Sequence, residues 1–65
     1  MDTVIFRDGN YALIYMPQDV CAYAVFKYTG SFWQQVSPNY FRKGNAVRKY
    51  NTLINKQPLI NQPLN

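Results

Sequence analysis

Apolar and polar residues alternate over the first half of the chain, in short runs that are separated by turn residues. Residues 4–7 form a β-branched and aromatic run, and Asp8-Gly9 directly after it is a strong hairpin signal. The next run, residues 11–16, stops at Pro17, which cannot donate a hydrogen bond to a neighbouring strand. We therefore predict that these two runs pair as a β-hairpin.

Two further strands are predicted before the chain changes character. Residues 21–28 alternate between two faces, with Ala24 and Phe26 on the same one, and residues 32–36 alternate again after the turn Thr29-Gly30-Ser31. The connections are too short to hold crossover helices. Neighbouring strands should therefore run antiparallel, in a meander of three to four strands.

The spacing of apolar residues becomes helical after Ser37-Pro38. This pair fits an N-cap and a first helical position, although Gly44 places the start of the regular helix later, near Lys43. The small side chains of Ala22 and Ala24 would let a helix approach the sheet closely. The predicted fold is therefore α+β, a small antiparallel β-meander followed by one C-terminal helix packed on the sheet. The apolar stripe of that helix consists of Ala46, Val47, Tyr50, Leu53 and Ile54.

Residues 57–65 form an extended tail that differs from the single domain predicted over residues 1–56. Pro58 and Pro63 exclude a regular helix and favour an extended conformation. Two alternatives stay open at this point. The segment is either a frayed tail or an arm that docks on this domain or on a partner, including a second copy in a homo-oligomer that exchanges the arm. The apolar side chains available for docking are Leu59, Ile60 and Leu64.

Composition and charge narrow the class of partner. The chain has 65 residues, a net charge of +4, and one Trp, four Phe and six Tyr, so some aromatic rings must reach the surface of so small a domain. A basic chain favours polyanions or an acidic protein surface as partners, unless the charge only maintains solubility. Cys21 is the only cysteine, which indicates a reducing compartment. With no membrane-length apolar stretch and no signal-peptide pattern, we expect a cytoplasmic protein without membrane contact.

The residue types that catalysis needs are mostly missing from the sequence. There is no His and no Glu, and the three Asp lie near the N-terminus or in predicted turns. The sequence shows no Cys–His or Ser–His pair, no cluster of metal ligands and no glycine-rich phosphate loop. We therefore expect a binding module rather than an enzyme, without a cofactor or a metal.

The first candidate binding surface is the helix face opposite the apolar stripe. On a helical wheel this face combines cations with amide and hydroxyl donors, and no carboxylate interrupts them. These residue types contact phosphates and read base edges in nucleic-acid complexes, although an ordinary solvated helix face is also polar. The predicted partner-binding residues on this face are Arg42, Lys43, Asn45, Arg48, Lys49 and Lys56.

The second candidate surface is the sheet face turned away from the helix. If Ala24 and Phe26 face the helix, the alternate residues of the same strands point outward, although a register error of one residue would exchange the two faces. Exposed aromatic rings beside a lysine would stack on bases or form the centre of a protein interface; the alternative is a second small apolar cluster. The residues predicted to point outward here are Tyr23, Val25, Lys27, Trp33 and Gln35, and the candidate partner contacts among them are Tyr23, Lys27 and Trp33.

The order of three strands followed by a helix over residues 11–54 resembles the AP2-type and integrase arm-binding domains, with Phe41, Ala46 and Tyr50 entering the helix. The resemblance implies a sheet that lies in the DNA major groove. The Arg and Trp positions that mark the AP2-type sheet are not evident in this chain, so no base-contacting residue is carried over. The resemblance adds weight to nucleic-acid binding without deciding the function.

Two functions from different classes follow from these surfaces. The first is a nucleic-acid-binding module that holds phosphates with the cationic helix face and stacks bases on exposed aromatic rings. The alternative is a compact protein-binding inhibitor or regulator, of the kind encoded by phages and mobile elements, that covers a partner's acidic or nucleic-acid-binding surface. Charge does not separate the two, because both would use the same surface.

Overall fold

The structure, a computed structural model, describes residues 1–55, which form a four-stranded antiparallel sheet with one helix packed on it. The strands lie in the sheet in the order of the sequence, and each neighbouring pair is antiparallel. The α+β fold class and the meander are confirmed. Lys56 and the predicted tail lie outside the described residues. The elements are β1 (Thr3–Asp8), β2 (Tyr11–Tyr15), β3 (Tyr23–Tyr28), β4 (Trp33–Gln35) and α1 (Lys43–Asn55).

The first hairpin is closed by a tight glycine turn. Asp8 pairs with Tyr11, so the loop consists of Gly9 and Asn10 alone. Gly9 has a φ of 61°, a value that costs a residue without a Cβ atom very little. The hairpin signal in the sequence is therefore confirmed, with the glycine at the first position of the turn.

A β-bulge in β1 directs two neighbouring side chains toward the helix. The register with β2 shifts between Val4 and Phe6, and such a shift breaks the alternation of a strand. Ile5 consequently packs against the buried core, while the Phe6 ring stacks on the ring of Tyr50 with 5.8 Å between centroids. Edge strand β1 is thereby connected to the second half of the helix.

The core lies between α1 and the two central strands. Leu13 of β2 and Val25 of β3 are fully buried against Ala46 and Tyr50 of the helix. Each buried aliphatic side chain of this size contributes on the order of 1.5–3 kcal/mol from the area it removes from water. The predicted apolar stripe is confirmed, and its partly buried members at the margin of the core are Val47, Leu53 and Ile54.

The structure reverses the predicted sides of the sheet. Val25, not Ala24 or Phe26, packs against the helix, and β3 pairs with β2 in the register Leu13↔Val25 and Ile14↔Ala24. The prediction that Ala24 and Phe26 face the helix is therefore wrong. Both faces of β3 are apolar, so the alternation alone did not identify the covered one, and a shift of one residue exchanges every side chain.

The segment after β4 continues to pair with β3 before the helix begins. The Ser37 Oγ accepts a hydrogen bond of 2.8 Å from the Val25 backbone N–H, and two backbone bonds of 2.7 and 3.1 Å join Tyr40 to Tyr23. Ser37 is thus not the helix N-cap, because its hydroxyl completes the sheet instead. The Arg42 carbonyl accepts the first helical bonds, and the alternative start near Lys43 is confirmed.

Candidate functional site

The outer face of α1 carries a shallow groove of about 310 Å³ that we call the helix groove. Its helical side chains follow the spacing i, i+3, i+4 and i+7, which places them on one face of the helix. Tyr40, which is half-buried, closes the groove from the loop before the helix. The residues that line it are Tyr40, Asn45, Arg48, Lys49 and Thr52.

Two hydrogen bonds order the polar side chains of the helix groove. The Thr52 hydroxyl donates to the Arg48 backbone carbonyl at 3.0 Å, and the Arg48 Nη1 donates to the Asn45 Oδ1 at 3.4 Å. The second bond is long and occupies one of the five guanidinium N–H donors. Most donors of Arg48 therefore stay available to an incoming acceptor.

The helix groove is strongly biased toward positive charge. The last acidic residue in the chain is Asp19, and residues 20–65 contain no Asp or Glu. There is no acidic side chain in the first turn of α1, so the positive end of the helix dipole is not compensated there. Because no carboxylate competes for the groove cations, their field acts outward, on an anion in solution.

The structure brings together some of the predicted helix-face residues and separates others. Asn45, Arg48 and Lys49 line the helix groove as one group. Arg42 and Lys43 are exposed at the N-terminal end of the helix, outside the lining of the groove. Lys56 lies outside the described residues, so its position on this face stays a prediction.

Tyr40 was missed by the sequence interpretation. Its place in the groove depends on the isolated bridge Tyr23↔Tyr40, which joins the loop to the start of β3. The pairing crosses a long stretch of sequence and has no periodic signal, so neither alternation nor helical spacing could have identified it.

The predicted sheet-face residues do not share one face. Tyr23 belongs to the helix side, where its ring lies 5.2 Å from that of Tyr15. Lys27 is exposed at the margin of the same side, with its Nζ 5.6 Å from the centre of the Tyr11 ring. Of the three, Trp33 alone lies on the free face, the one away from α1, so the prediction that they share one outward face is wrong, while their part in partner binding stays a prediction.

On the free face of the sheet, Trp33 is surrounded by residues other than the predicted Tyr23 and Lys27. The Arg7 guanidinium carbon lies 5.0 Å from the centre of the Trp33 ring, a cation–π contact. The Tyr28 ring lies 5.3 Å from the same indole. The Arg7 contact joins β1 to β4 across two intervening strands, which is why the sequence order gave no indication of it.

The free face also contains an apolar depression of about 300 Å³, which we call the free-face depression. Its apolar lining comes from all four strands, and two charged residues stand at its margin. It lies on the opposite side of the sheet from α1, so one short ligand cannot contact this depression and the helix groove together. The lining residues are Val4, Ala12, Ile14, Phe26 and Trp33, with Asp2 and Arg7 as the charged pair.

One buried tyrosine titrates abnormally, and it belongs to the core rather than to either surface. Burial raises the pKa of Tyr50 above its ordinary value of 10.0, and the negative charge of Asp8 raises it further. This shift is a property of helix packing, since Tyr50 does not line either the helix groove or the free-face depression.

The described residues provide neither a metal site nor a membrane-spanning helix. No group of three His, Cys, Asp or Glu side chains in residues 1–55 is placed to hold a metal ion. The one helix in this part of the chain is too short and too polar to cross a membrane. Cys21 is a half-buried free thiol.

Comparison with known proteins assigns no family to the chain. No protein-family model matches it, and neither the curated proteins nor the solved structures contain a significant match.

Proposed function

We propose that this chain is a non-enzymatic module that binds nucleic acid through the outer face of α1. The observation that carries the proposal is the helix groove, where Arg48 and Lys49 converge with Asn45 and Thr52 and no carboxylate of residues 1–55 is part of the lining. Arginine and lysine supply phosphate contacts, while asparagine and threonine supply the amide and hydroxyl groups that reach sugars and base edges. Tyr40 adds an aromatic ring for stacking at the end of the groove.

The N-terminal end of α1 extends the positive surface. Arg42 and Lys43 are exposed there, next to backbone N–H groups that have no intrahelical acceptor in any α-helix. Such an end attracts phosphate through the helix dipole and through direct N–H donation. In the bound state, the phosphates lie along the line from Arg42 to Lys49.

The helix, rather than the sheet, is the proposed contact surface, which differs from what the AP2-type resemblance implies. The free face of the sheet presents an apolar depression with one cation, Arg7, and one anion, Asp2. A mixed pair of that kind gives little attraction for a phosphate backbone. We place the activity in the cytoplasm because the single cysteine indicates a reducing compartment.

The test is a binding titration with labelled single- and double-stranded DNA and RNA, repeated at increasing salt. The variant Arg48→Gln/Lys49→Gln removes both groove cations. The matched control Arg7→Gln/Lys27→Gln removes the same amount of charge away from the groove, and both variants lower the net charge from +4 to +2. The proposal predicts that the groove variant binds more weakly and that its slope of log affinity against log salt falls by about 0.7–0.9 for each lost phosphate contact.

Two results would overturn the proposal. One is the absence of binding to any of the nucleic acids at low salt. The other is an equal loss of affinity in both double variants, which would show that the effect comes from the net charge alone. A purified partner protein that binds the groove after nuclease treatment, and that the groove variant no longer binds, would instead establish the alternative function of a protein-binding inhibitor.

A further inference from the structure

The free-face depression has the shape and the lining of a binding site for apolar side chains. Ala12 forms its floor and is 1% exposed, although the one helix of residues 1–55 packs on the other side of the sheet. Larger neighbours enclose the alanine, and two of them, Val4 and Trp33, are themselves 56% and 38% exposed. This arrangement leaves apolar surface exposed around a small residue. Binding of another apolar group in the space would remove that surface from water, which lowers the free energy.

One wall of the depression is supported by neighbouring side chains. The Trp33 indole is contacted by the Arg7 guanidinium at 5.0 Å and by the Tyr28 ring at 5.3 Å. A wall that is fixed before binding loses little side-chain entropy when a ligand arrives. Arg7 and Asp2 at the margin offer a donor and an acceptor to the backbone or amide groups of a peptide.

The size of the depression favours a short segment over a second protein surface. Seven residues line it and its volume is about 300 Å³, whereas a stable protein–protein interface uses roughly 20–30 residues on each side. A few aliphatic side chains on an extended peptide match this size. The occupant we infer is therefore a short apolar segment.

The helix at the end of the described part of the chain reaches the edge strand β1 through Tyr50. The Tyr50 ring stacks on Phe6 of β1, and Asn55 is five residues, or about 7.5 Å along the helix axis, beyond Tyr50. Strand β1 also supplies Val4 and Arg7 to the depression on the other face. Because Tyr40, just before the helix, bridges to Tyr23 of β3, the helix runs across the sheet toward β1.

The following segment is long enough and has the right side chains. Residues 56–65 span up to about 33 Å when extended, which exceeds the roughly 10 Å that separates two packed layers of secondary structure. The segment contains Leu59, Ile60 and Leu64 and no charged residue after Lys56. We propose that residues 57–65 pass around β1 and bind the free-face depression of the same molecule through these apolar side chains. This proposal is independent of nucleic-acid binding at the helix groove.

Trp33 provides the readout, because it is the only tryptophan in the chain and it forms a wall of the depression. The experiment compares the full chain with Leu59→Asp/Leu64→Asp and with the matched control Gln57→Asp/Gln62→Asp, which adds the same charge to the same segment. Docking predicts that the leucine variant alone shifts Trp33 emission to longer wavelength and increases quenching by acrylamide. In the wild type both properties should be independent of protein concentration.

A second measurement records the Trp33 indole N–H resonance of the same three proteins by NMR. The proposal predicts a shift in the leucine variant and none in the control. Identical emission, quenching and indole resonance in all three proteins would overturn it. Wild-type emission that changes with concentration, together with the mass of a dimer, would also overturn it by making a second copy the occupant.

Discussion

The two faces of the sheet are built from similar residue types, but α1 covers only one of them. On the covered face, Leu13 and Val25 project toward the helix and meet Ala46 and Tyr50. On the free face, small residues such as Ala12 lie between larger ones and leave a depression. A small residue in a strand therefore does not by itself identify the face that the helix covers.

The outer surfaces above these two faces differ even more. The helix groove above the covered face is cationic and polar, with Arg48 and Lys49 as its charges. The free face is apolar apart from Arg7 and Asp2. Because the sheet and helix separate them, each surface can be altered without touching the other, which makes the two functions assigned to them independently testable.

The largest effect is expected from core truncation on the covered face. Leu13→Ala should cost about 2–5 kcal/mol of stability, since it leaves a cavity under α1. Ile14→Ala, its neighbour on the same strand, points to the free face and should cost only about 1 kcal/mol. Urea denaturation followed by far-UV circular dichroism measures both, and it avoids the signal of Trp33. Equal costs, or a larger cost at Ile14, would contradict the assignment of the two faces.

A charge reversal distinguishes the two outer surfaces by affinity. Lys49→Glu places a carboxylate in the helix groove and should weaken nucleic-acid binding roughly tenfold at low salt, equivalent to about 1.4 kcal/mol. Lys27→Glu makes the same change at an exposed site that does not line the groove. Fluorescence anisotropy with the best-bound oligonucleotide measures both affinities. A loss at Lys27 as large as the loss at Lys49 would contradict a localised site.

A smaller effect is expected from the cation–π contact on the free face. Arg7→Gln removes the guanidinium above Trp33, and at an exposed site such a contact contributes about 0.5–1 kcal/mol. The variant should also change the Trp33 emission spectrum, whereas Arg48→Gln on the opposite side should leave it unchanged. Denaturation and fluorescence together test this; an emission change in Arg48→Gln would show that the two surfaces are coupled.

The smallest effect concerns the Tyr50 hydroxyl beneath the helix. Burial and the charge of Asp8 raise the folded-state pKa of Tyr50, so the folded protein retains the phenol proton more tightly than the unfolded chain does. This stabilising contribution is complete below the unfolded pKa and is lost as the pH rises from there through the folded pKa. Tyr50→Phe should be nearly neutral at about pH 7 and should resist unfolding better than the wild type above about pH 10.

Stability of Tyr50→Phe and the wild type should be compared by urea denaturation at about pH 7 and about pH 11. Comparison within the pair cancels the contribution of the other tyrosines. An unchanged difference between the two proteins at both values of pH would show that Tyr50 does not titrate as the structure indicates.

The order and type of the elements could be predicted from local sequence signals. The hairpin at Gly9, the late helix start near Lys43 and the apolar stripe of α1 all depend on residues that are close in the chain. Turn chemistry and periodicity depend on residues that are neighbours in the chain, so tertiary packing changes the predicted elements little. The predicted groove cations Arg48 and Lys49 were found for the same reason.

The parts that could not be predicted depend on contacts between distant residues. Which face of β3 the helix covers is decided by packing of Val25 against Ala46, and both faces of the strand looked equally suitable. The position of Tyr40 depends on its bridge to Tyr23, and the environment of Trp33 depends on Arg7 three strands away. No periodic pattern records pairings of this kind.

The most direct test of the central claim is an NMR titration of the full chain with the nucleic acid that binds most tightly. The account predicts that the backbone amides of Asn45, Arg48, Lys49 and Thr52 shift in proportion to saturation, while the indole N–H of Trp33 stays in place. Shifts centred on Trp33, Phe26 and Arg7, with the helix resonances unchanged, would contradict the claim and would transfer the binding site to the free face of the sheet.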